Sequence, residues 1–179
     1  MKVRPHHRRT AVVFGCGVIL LVLLRMLNHS LSPWALSVWC GGLLVTFPAL
    51  RLGPQQGFNA CFLLGLMLDA LSPFPFGLHA FLFGVAHLVI VRIRNRLPAN
   101  EPVIVIVVTL VTNLVLFVLI TFFALSRNSG AHISVVRLLS DLVLSQITIV
   151  LIGGWFLALQ ERALEIARVG LHDEPSAMI

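Results

Sequence analysis

Tyrosine is absent from the sequence, and charged residues occupy only 11% of its 179 positions. Soluble domains carry about 25% charged residues, so this composition excludes an ordinary soluble domain. Hydrophobic residues make up 58% of the chain, and 12 of them are phenylalanine, which suits a surface in contact with lipid. We therefore interpret the chain as an integral membrane protein.

Cysteine is also scarce. Cys16, Cys40 and Cys61 all lie within apolar segments, without C-x-x-C spacing and without a nearby pair of histidines. This arrangement does not indicate a disulfide framework, a metal site or a cofactor, and it predicts buried structural thiols. The basic residues form no stripe on a soluble face, so their excess does not indicate binding to nucleic acid.

Most of the sequence consists of long apolar segments. A helix needs about 20 mostly apolar residues to cross a bilayer. Six segments meet or approach this length, at 10–27, 33–50, 57–71, 77–92, 103–125 and 138–159. The sequence therefore predicts an all-α, polytopic membrane bundle of about six transmembrane helices over residues 1–160, followed by a short cytoplasmic tail at 161–179. The third and fourth segments are short, which predicts a thin, tightly packed pair.

The basic residues predict the orientation. The first segment is not a typical cleaved signal peptide, because Arg25 and Asn28 follow it where small residues are expected. With six spans and a cytoplasmic N terminus, ten of the 13 lysines and arginines fall on the cytoplasmic side. Cytoplasmic loops of membrane proteins carry such an excess, so both termini are predicted to be cytoplasmic. The pattern at 158–170 predicts a helix that continues the last span.

Four ionisable residues are predicted to lie at one depth, near the outer ends of their spans. Asp69 and His79 flank the uncharged turn 72–77, Arg25 is near the end of the first span, and Asp141 is in the first turn of the last. The helix dipole favours Asp141 but disfavours Asp69 at a C terminus. We therefore expect Asp69 to bind a donor, which is Arg25, His79 or a backbone N–H of the turn.

Three interpretations of these residues were weighed. A hydrolase with paired carboxylates, Asp69 and Asp141, lacks any supporting motif, and no G-x-S-x-G sequence is present. The chain is therefore not predicted to be an enzyme and has no predicted catalytic residue. A polar clasp that sets helix packing and a contact for a partner protein both remain open. Pro75 stiffens the turn between the third and fourth spans, and Gly77 permits the tight turn into the fourth.

One segment carries a family resemblance. Residues 65–97, GLMLDALSPFPFGLHAFLFGVAHLVIVRIRNRL, resemble the central signature of MreD, the bacterial rod shape-determining membrane protein family. The signature is a glycine, an acid after apolar residues, an LS-x-x-x-x-G turn and an apolar span that ends in basic residues. The matching positions are Gly65, Asp69, Leu71, Ser72, Gly77 and Leu78. The Pro-Phe-Pro-Phe turn departs from the small and polar residues of the family, and His79 stands where the family varies.

The resemblance implies a non-enzymatic scaffold of the cell-wall elongation complex in the bacterial inner membrane. Such a protein binds an MreC-like partner, and through it the actin-like MreB, RodA and a class B penicillin-binding protein. The family bundle also resembles the S subunits of energy-coupling-factor vitamin transporters, so substrate capture is the alternative function. Besides membrane lipid, we expect structural or partner contacts from eight residues: Arg25, Gly65, Asp69, Ser72, Pro75, Gly77, His79 and Asp141.

Overall fold

The computed structural model describes residues 5–73, 75–96, 101–127 and 134–167. Within these ranges the chain forms α-helices joined by short turns, with no β-strand, which confirms the all-α prediction. The helices are α1 (Pro5–Leu31), α2 (Gly41–Arg51), α3 (Pro54–Leu71), α4 (Leu78–Ile93), α5 (Pro102–Arg127) and α6 (Val135–Ile166). Lys2, Arg4 and Arg168, which entered the predicted orientation, lie outside the described residues, as does the tail from residue 168.

In the described part of the chain, four helical segments are long and apolar enough to cross a membrane by length and composition. They are Arg8–Trp34, Leu78–Arg96, Pro102–Ser126 and Val135–Ile166. The prediction that 33–50 forms a spanning helix is wrong, because α2 has only 11 residues. At 1.5 Å per residue it is about 16 Å long, about half of the bilayer core. The shortness predicted for the third span is present, since α3 has 18 residues and begins with the polar sequence Pro-Gln-Gln.

The second span combines an extended segment with a helix. A short 3-10 turn at Ser32–Trp34 ends at Ala35, which has a left-handed φ of 53°, and the chain then runs without helix to Cys40. Because α2 is about 16 Å long, residues 37–40 need a stretched course of about 3.3 Å per residue to bring the total to about 30 Å. Ser37 contacts Asp141 at one end of α6, and Arg51 contacts Glu161 at the other. These α6 residues are also about 30 Å apart, so 37–51 runs from one end of the bundle to the other.

Helix packing places α2 at the centre. Residues Gly41 to Leu50 of α2 are all buried, and the helix contacts α3, α4 and α5. α3 and α4 form an antiparallel hairpin, and α1 packs against α3 and α6. We use "outer end" for the end of the bundle that contains Arg25, Asp69 and Asp141, and "inner end" for the one that contains Arg51 and Arg94. These names follow the predicted orientation.

The last helix continues beyond the apolar segment 138–159, as predicted. α6 has 32 residues and passes without a break through the boundary placed at 160/161. The predicted continuation of the last span into the tail is confirmed as far as Ile166. Because α6 begins at Val135, Asp141 lies in its second turn rather than its first. The effect of the helix dipole is confined to the first turn, so it no longer explains why an acid is tolerated there.

Candidate functional site

The Asp69 carboxylate lies at the outer end, between the C terminus of α3 and the N terminus of α4. It accepts hydrogen bonds from the backbone nitrogens of Gly77 (3.0 Å), His79 (2.9 Å) and Ala80 (3.1 Å). The first N–H groups of a helix have no partner within the helix, and side-chain oxygens usually bind them. Gly77 precedes α4 and has no side chain to do so. Asp69 supplies these acceptors from the preceding helix.

The His79 side chain completes the environment of this carboxylate. Its Nδ1 atom lies 2.8 Å from Oδ1 of Asp69, and both side chains are buried. When the carboxylate is ionised it only accepts hydrogen bonds, and Nδ1 is then the donor in this pair. The ring also meets Phe83 edge to face, with the centroids 6.5 Å apart. Of the donors considered for Asp69, the structure therefore brings His79 and the backbone of the turn to it.

The α3–α4 hairpin depends on two glycines. A Cβ atom on Gly65 would lie 2.6 Å from the backbone nitrogen of Ala80, so the two helices touch through their backbones here. Gly77 has a φ of 99°, which side chains other than glycine rarely adopt. Between them, the Ser72 nitrogen donates to the Asp69 carbonyl and the Leu78 nitrogen donates to the Pro75 carbonyl. The matched signature thus corresponds to a compact turn with internal hydrogen bonds.

Arg25 does not bind the Asp69 carboxylate. Its Nη2 atom donates to the backbone carbonyl of Leu71 at 3.2 Å. The last carbonyls of a helix lack partners within the helix, and a cation near them is favourable. Arg25 therefore ties the outer end of α1 to the C terminus of α3.

Asp141 forms a separate cluster at the same end. Its carboxylate accepts hydrogen bonds from the backbone nitrogen of Ser37 (2.8 Å) and from Ser37 Oγ (2.9 Å). Asp69 and Asp141 thus bind different partners on different helices, an arrangement that does not resemble two carboxylates sharing a proton.

Asn28 and Ser145 hold the rest of the extended segment. Asn28 bonds Val38 in both directions, accepting from its nitrogen at 2.7 Å and donating to its carbonyl at 2.9 Å. Ser145 Oγ accepts from the nitrogen of Trp39 at 2.9 Å. Non-helical backbone at membrane depth is tolerated only where protein or water satisfies its polar groups. Side chains of α1 and α6 satisfy these groups here.

The N terminus of α2 is bound in the same way. The amide oxygen of Asn113 on α5 accepts from the nitrogen of Gly42 at 3.0 Å, and both residues are buried. Asn113 on the fifth span and Ser145 on the sixth thus both face the broken second span. The break in the second span had a signal in the sequence. This signal is the pair Gly41-Gly42 in the second span, together with polar residues on three other spans.

The outward face of α6 carries two depressions. The one nearer the outer end, about 530 Å³, is lined by Leu36 and by Val136, Ser140, Val143 and Ile147 of α6, among others. The other, about 260 Å³, lies towards the inner end between α6 and α5, and its lining includes Gly154 and Ala158 of α6, Pro102 and Ile106 of α5, and Arg51 of α2.

The remaining candidate groups give no sign of a metal centre. Within the described ranges, no group of three or more histidine, cysteine or acidic side chains is placed to hold a metal ion. Cys16, Cys40 and Cys61 are free thiols in buried positions.

Comparison with known protein families identifies the family to which this arrangement of helices belongs. The model of one protein family, described as rod shape-determining protein MreD, matches residues 11–162. The chain belongs to the MreD family. The match includes the α3–α4 hairpin of the resemblance, which is thereby confirmed, and it identifies a rod shape-determining membrane protein. Neither the curated proteins nor the solved structures include a match to this MreD-family chain.

Proposed function

We propose that this MreD-family protein is a non-enzymatic scaffold of the cell-wall elongation complex in the bacterial inner membrane. In this proposal it binds a single-span, MreC-like partner, and through that partner it is linked to MreB, RodA and a class B penicillin-binding protein. The outward face of α6 is the surface that carries the proposal.

The two depressions on α6 lie on one side of the helix. Val136 and Gly154 are 18 residues apart, about five full turns, so they point in the same direction. The residues of α6 that pack into the bundle, such as Asp141, Ser145 and Phe156, lie on the opposite side. Val136 and Ile147 are 72% and 51% exposed, so among the residues that the structure describes this outward face has no partner.

Its dimensions and residue types suit a helix that crosses the bilayer. Ser140 and Ala158 are 18 residues apart, or about 27 Å, close to the bilayer core of about 30 Å. Small residues let transmembrane helices approach closely, and Ser140, Gly154 and Ala158 supply them along this face. A Cβ atom on Gly154 would meet no other atom within 4 Å, so its backbone is accessible.

The α3–α4 turn is a second contact in this proposal. Phe76 is 73% exposed at the outer end, and the hydrogen bonds to Asp69 hold the turn that presents it. Arg25, Gly65, Ser72, Pro75, Gly77 and His79 act here by positioning this turn. Asp141 positions the extended segment beside α6. An MreC-like partner with a domain on the outer side would meet the turn there.

Co-purification from detergent tests the α6 contact. The MreC-like protein of the same cell is co-expressed with tagged wild type, with Gly154→Leu and with Gly15→Leu. Gly15 is the matched control, because it lies in α1 and a Cβ atom there also meets nothing within 4 Å. We expect Gly154→Leu to weaken recovery of the partner about 5–30-fold, the effect of losing 1–2 kcal/mol. Wild-type recovery with Gly154→Leu would contradict the proposed face.

The turn is tested in the same assay with Phe76→Ala and Asp69→Ala. Both should lower recovery of the partner, because one removes the exposed ring and the other releases the turn that holds it. Thermal unfolding of each variant separates the two effects. Phe76→Ala should unfold at the wild-type temperature, since its side chain is exposed. If neither variant changed recovery, the turn would not be a partner contact.

Vitamin capture, the other function that the resemblance implies, requires a ligand cavity. The outer-end cavity between α1 and the start of α2, lined by Arg25, Asn28 and Trp39 among others, has a volume of about 80 Å³. Ligand pockets have volumes of about 300–1,000 Å³. The larger depression at Leu36 and Val136 and the groove between α4 and α5 are mainly apolar and do not lie in the polar outer layer, so the comparison at that layer favours the scaffold. Native mass spectrometry of the purified protein that detected a bound vitamin-like molecule would favour capture.

A further inference from the structure

A groove runs between α4 and α5 on the membrane-facing side. Both helices pack against the short α2, whereas they make few contacts with each other. The groove has a volume of about 310 Å³ and is almost wholly apolar, with Val85, Val89 and Ile93 on one wall and Val107, Val111 and Val115 on the other. Nothing in the proposed scaffold function uses this surface, because the partner is placed on α6.

The length of the groove distinguishes its possible occupants. On α4 it extends from Leu82 to Ile93, which is about 17 Å along the helix axis. A helix that crosses the membrane must cover about 30 Å, so the groove contacts only about half of one. One leaflet of the bilayer core is about 15 Å thick, which matches the groove. An acyl chain of the inner leaflet therefore fits better than a transmembrane helix.

Two arginines stand at the inner end of the groove. Val85, Val89 and Arg92 follow the spacing i, i+4, i+7, which places them on one side of α4, and Arg96 ends the 3-10 turn Arg94–Arg96 that follows the helix. Arg92 and Arg96 are exposed, and neither forms an ion pair with any of the residues that the structure describes. The apolar groove thus ends in two cationic groups at the level expected for phosphates.

The other charged groups nearby leave these two arginines available. Arg94 turns inward, where its Nη1 atom donates to the Leu52 carbonyl at 2.8 Å. Glu101 precedes α5 on the opposite wall, is exposed, and has no ion pair with a described residue. The mouth of the groove therefore keeps a net positive charge.

We propose that this groove binds one glycerophospholipid of the inner leaflet. Its acyl chain lies against the valines of α4 and α5, and its phosphate is bound by Arg92 and Arg96. Basic pockets between transmembrane helices on the cytoplasmic side are known to hold lipid headgroups. Guanidinium groups suit this role, because they bind phosphate oxygens through paired N–H donors.

Native mass spectrometry of the detergent-purified protein, with phosphatidylglycerol or phosphatidylethanolamine added, measures the bound fraction. The double variant Arg92→Gln/Arg96→Gln is compared with Arg8→Gln/Arg162→Gln, which removes two exposed arginines from the same end of the bundle. We expect the first variant to lower the bound fraction about tenfold and the second to leave it unchanged. Equal retention in wild type and both variants would overturn the assignment of the phosphate site.

The acyl-chain part of the site is tested with the charges intact. Val111→Trp places a large side chain in the groove, and Val22→Trp places one on the exposed face of α1. The first should displace the lipid and the second should not. A photoreactive residue at Val89 should label lipid in intact membranes. Labelling of a polypeptide at that position instead would assign the groove to a partner helix and overturn the proposal.

Discussion

Asp141 on α6 and Ser37 are joined by two hydrogen bonds, although 104 residues separate them in the chain. This contact begins a series in which side chains of α1, α6 and α5 bind the backbone of residues 37–42. The non-helical first part of the second span is therefore held by side chains of its neighbours rather than by helical hydrogen bonds of its own. Its stability should depend on polar residues that a hydropathy profile treats as interruptions.

Replacement of Asp141 tests this dependence. Asp141→Ala leaves the Ser37 N–H without its acceptor in a partly buried position, and an unsatisfied buried donor costs about 1–3 kcal/mol. Asp141→Asn keeps one carbonyl oxygen and should cost less. Thermal unfolding in detergent measures both variants. Wild-type stability for Asp141→Ala would show that the extended segment does not need this acceptor.

Asp69 should matter more to stability than its histidine partner. Asp69→Ala removes the acceptor for three backbone N–H groups and for His79, so we expect a loss of at least about 3 kcal/mol. His79→Leu keeps most of the buried volume and removes only one of these hydrogen bonds, so the loss should be about 1 kcal/mol. Chemical or thermal unfolding of the two variants measures which of them is less stable. The reverse order would mean that the ring, not the carboxylate, holds the hairpin.

The close approach of α3 and α4 predicts a contrast between two glycines. Gly65→Ala places a methyl group against the backbone of Ala80, which cannot move without separating the helices, so we expect a cost of about 1–3 kcal/mol. Gly15→Ala meets no atom within 4 Å and improves helix propensity by up to about 1 kcal/mol. The unfolding temperature should fall in the first variant and hold or rise in the second. A similar change in both would indicate that the hairpin separates without cost.

The ion pair at the inner end should contribute little. Arg51 and Glu161 are 3.2 Å apart, and their side chains are 29% and 42% exposed. Exposed ion pairs contribute about 0–1 kcal/mol, because solvent screens them. Glu161→Gln should therefore unfold within a few degrees of wild type. A large loss of stability would show that this pair anchors the inner end of α2.

Local sequence patterns predicted much of the hairpin. Asp69 lies at the C terminus of a helix, where the dipole is unfavourable, and this alone required a donor close by. His79 and the backbone of the turn lie 8 to 11 residues further along the chain, so few donors had to be considered. Arg25 was a reasonable candidate as well, yet its guanidinium lies on the Leu71 carbonyl. Which of several donors reaches a carboxylate depends on helix packing, which local sequence does not specify.

The sequence by itself determined the membrane class, the helical bundle, the family and the α3–α4 turn, because composition and local spacing carry each of these. The tertiary structure alone decided that the second span is half extended and that Asp141, Ser145 and Asn113 bind its backbone. Hydropathy counts apolar residues and does not distinguish a helix from an extended strand of the same composition. The N–H groups freed by the missing helical turns are satisfied by residues about 10 to 106 positions away, which meet them only when the bundle is assembled.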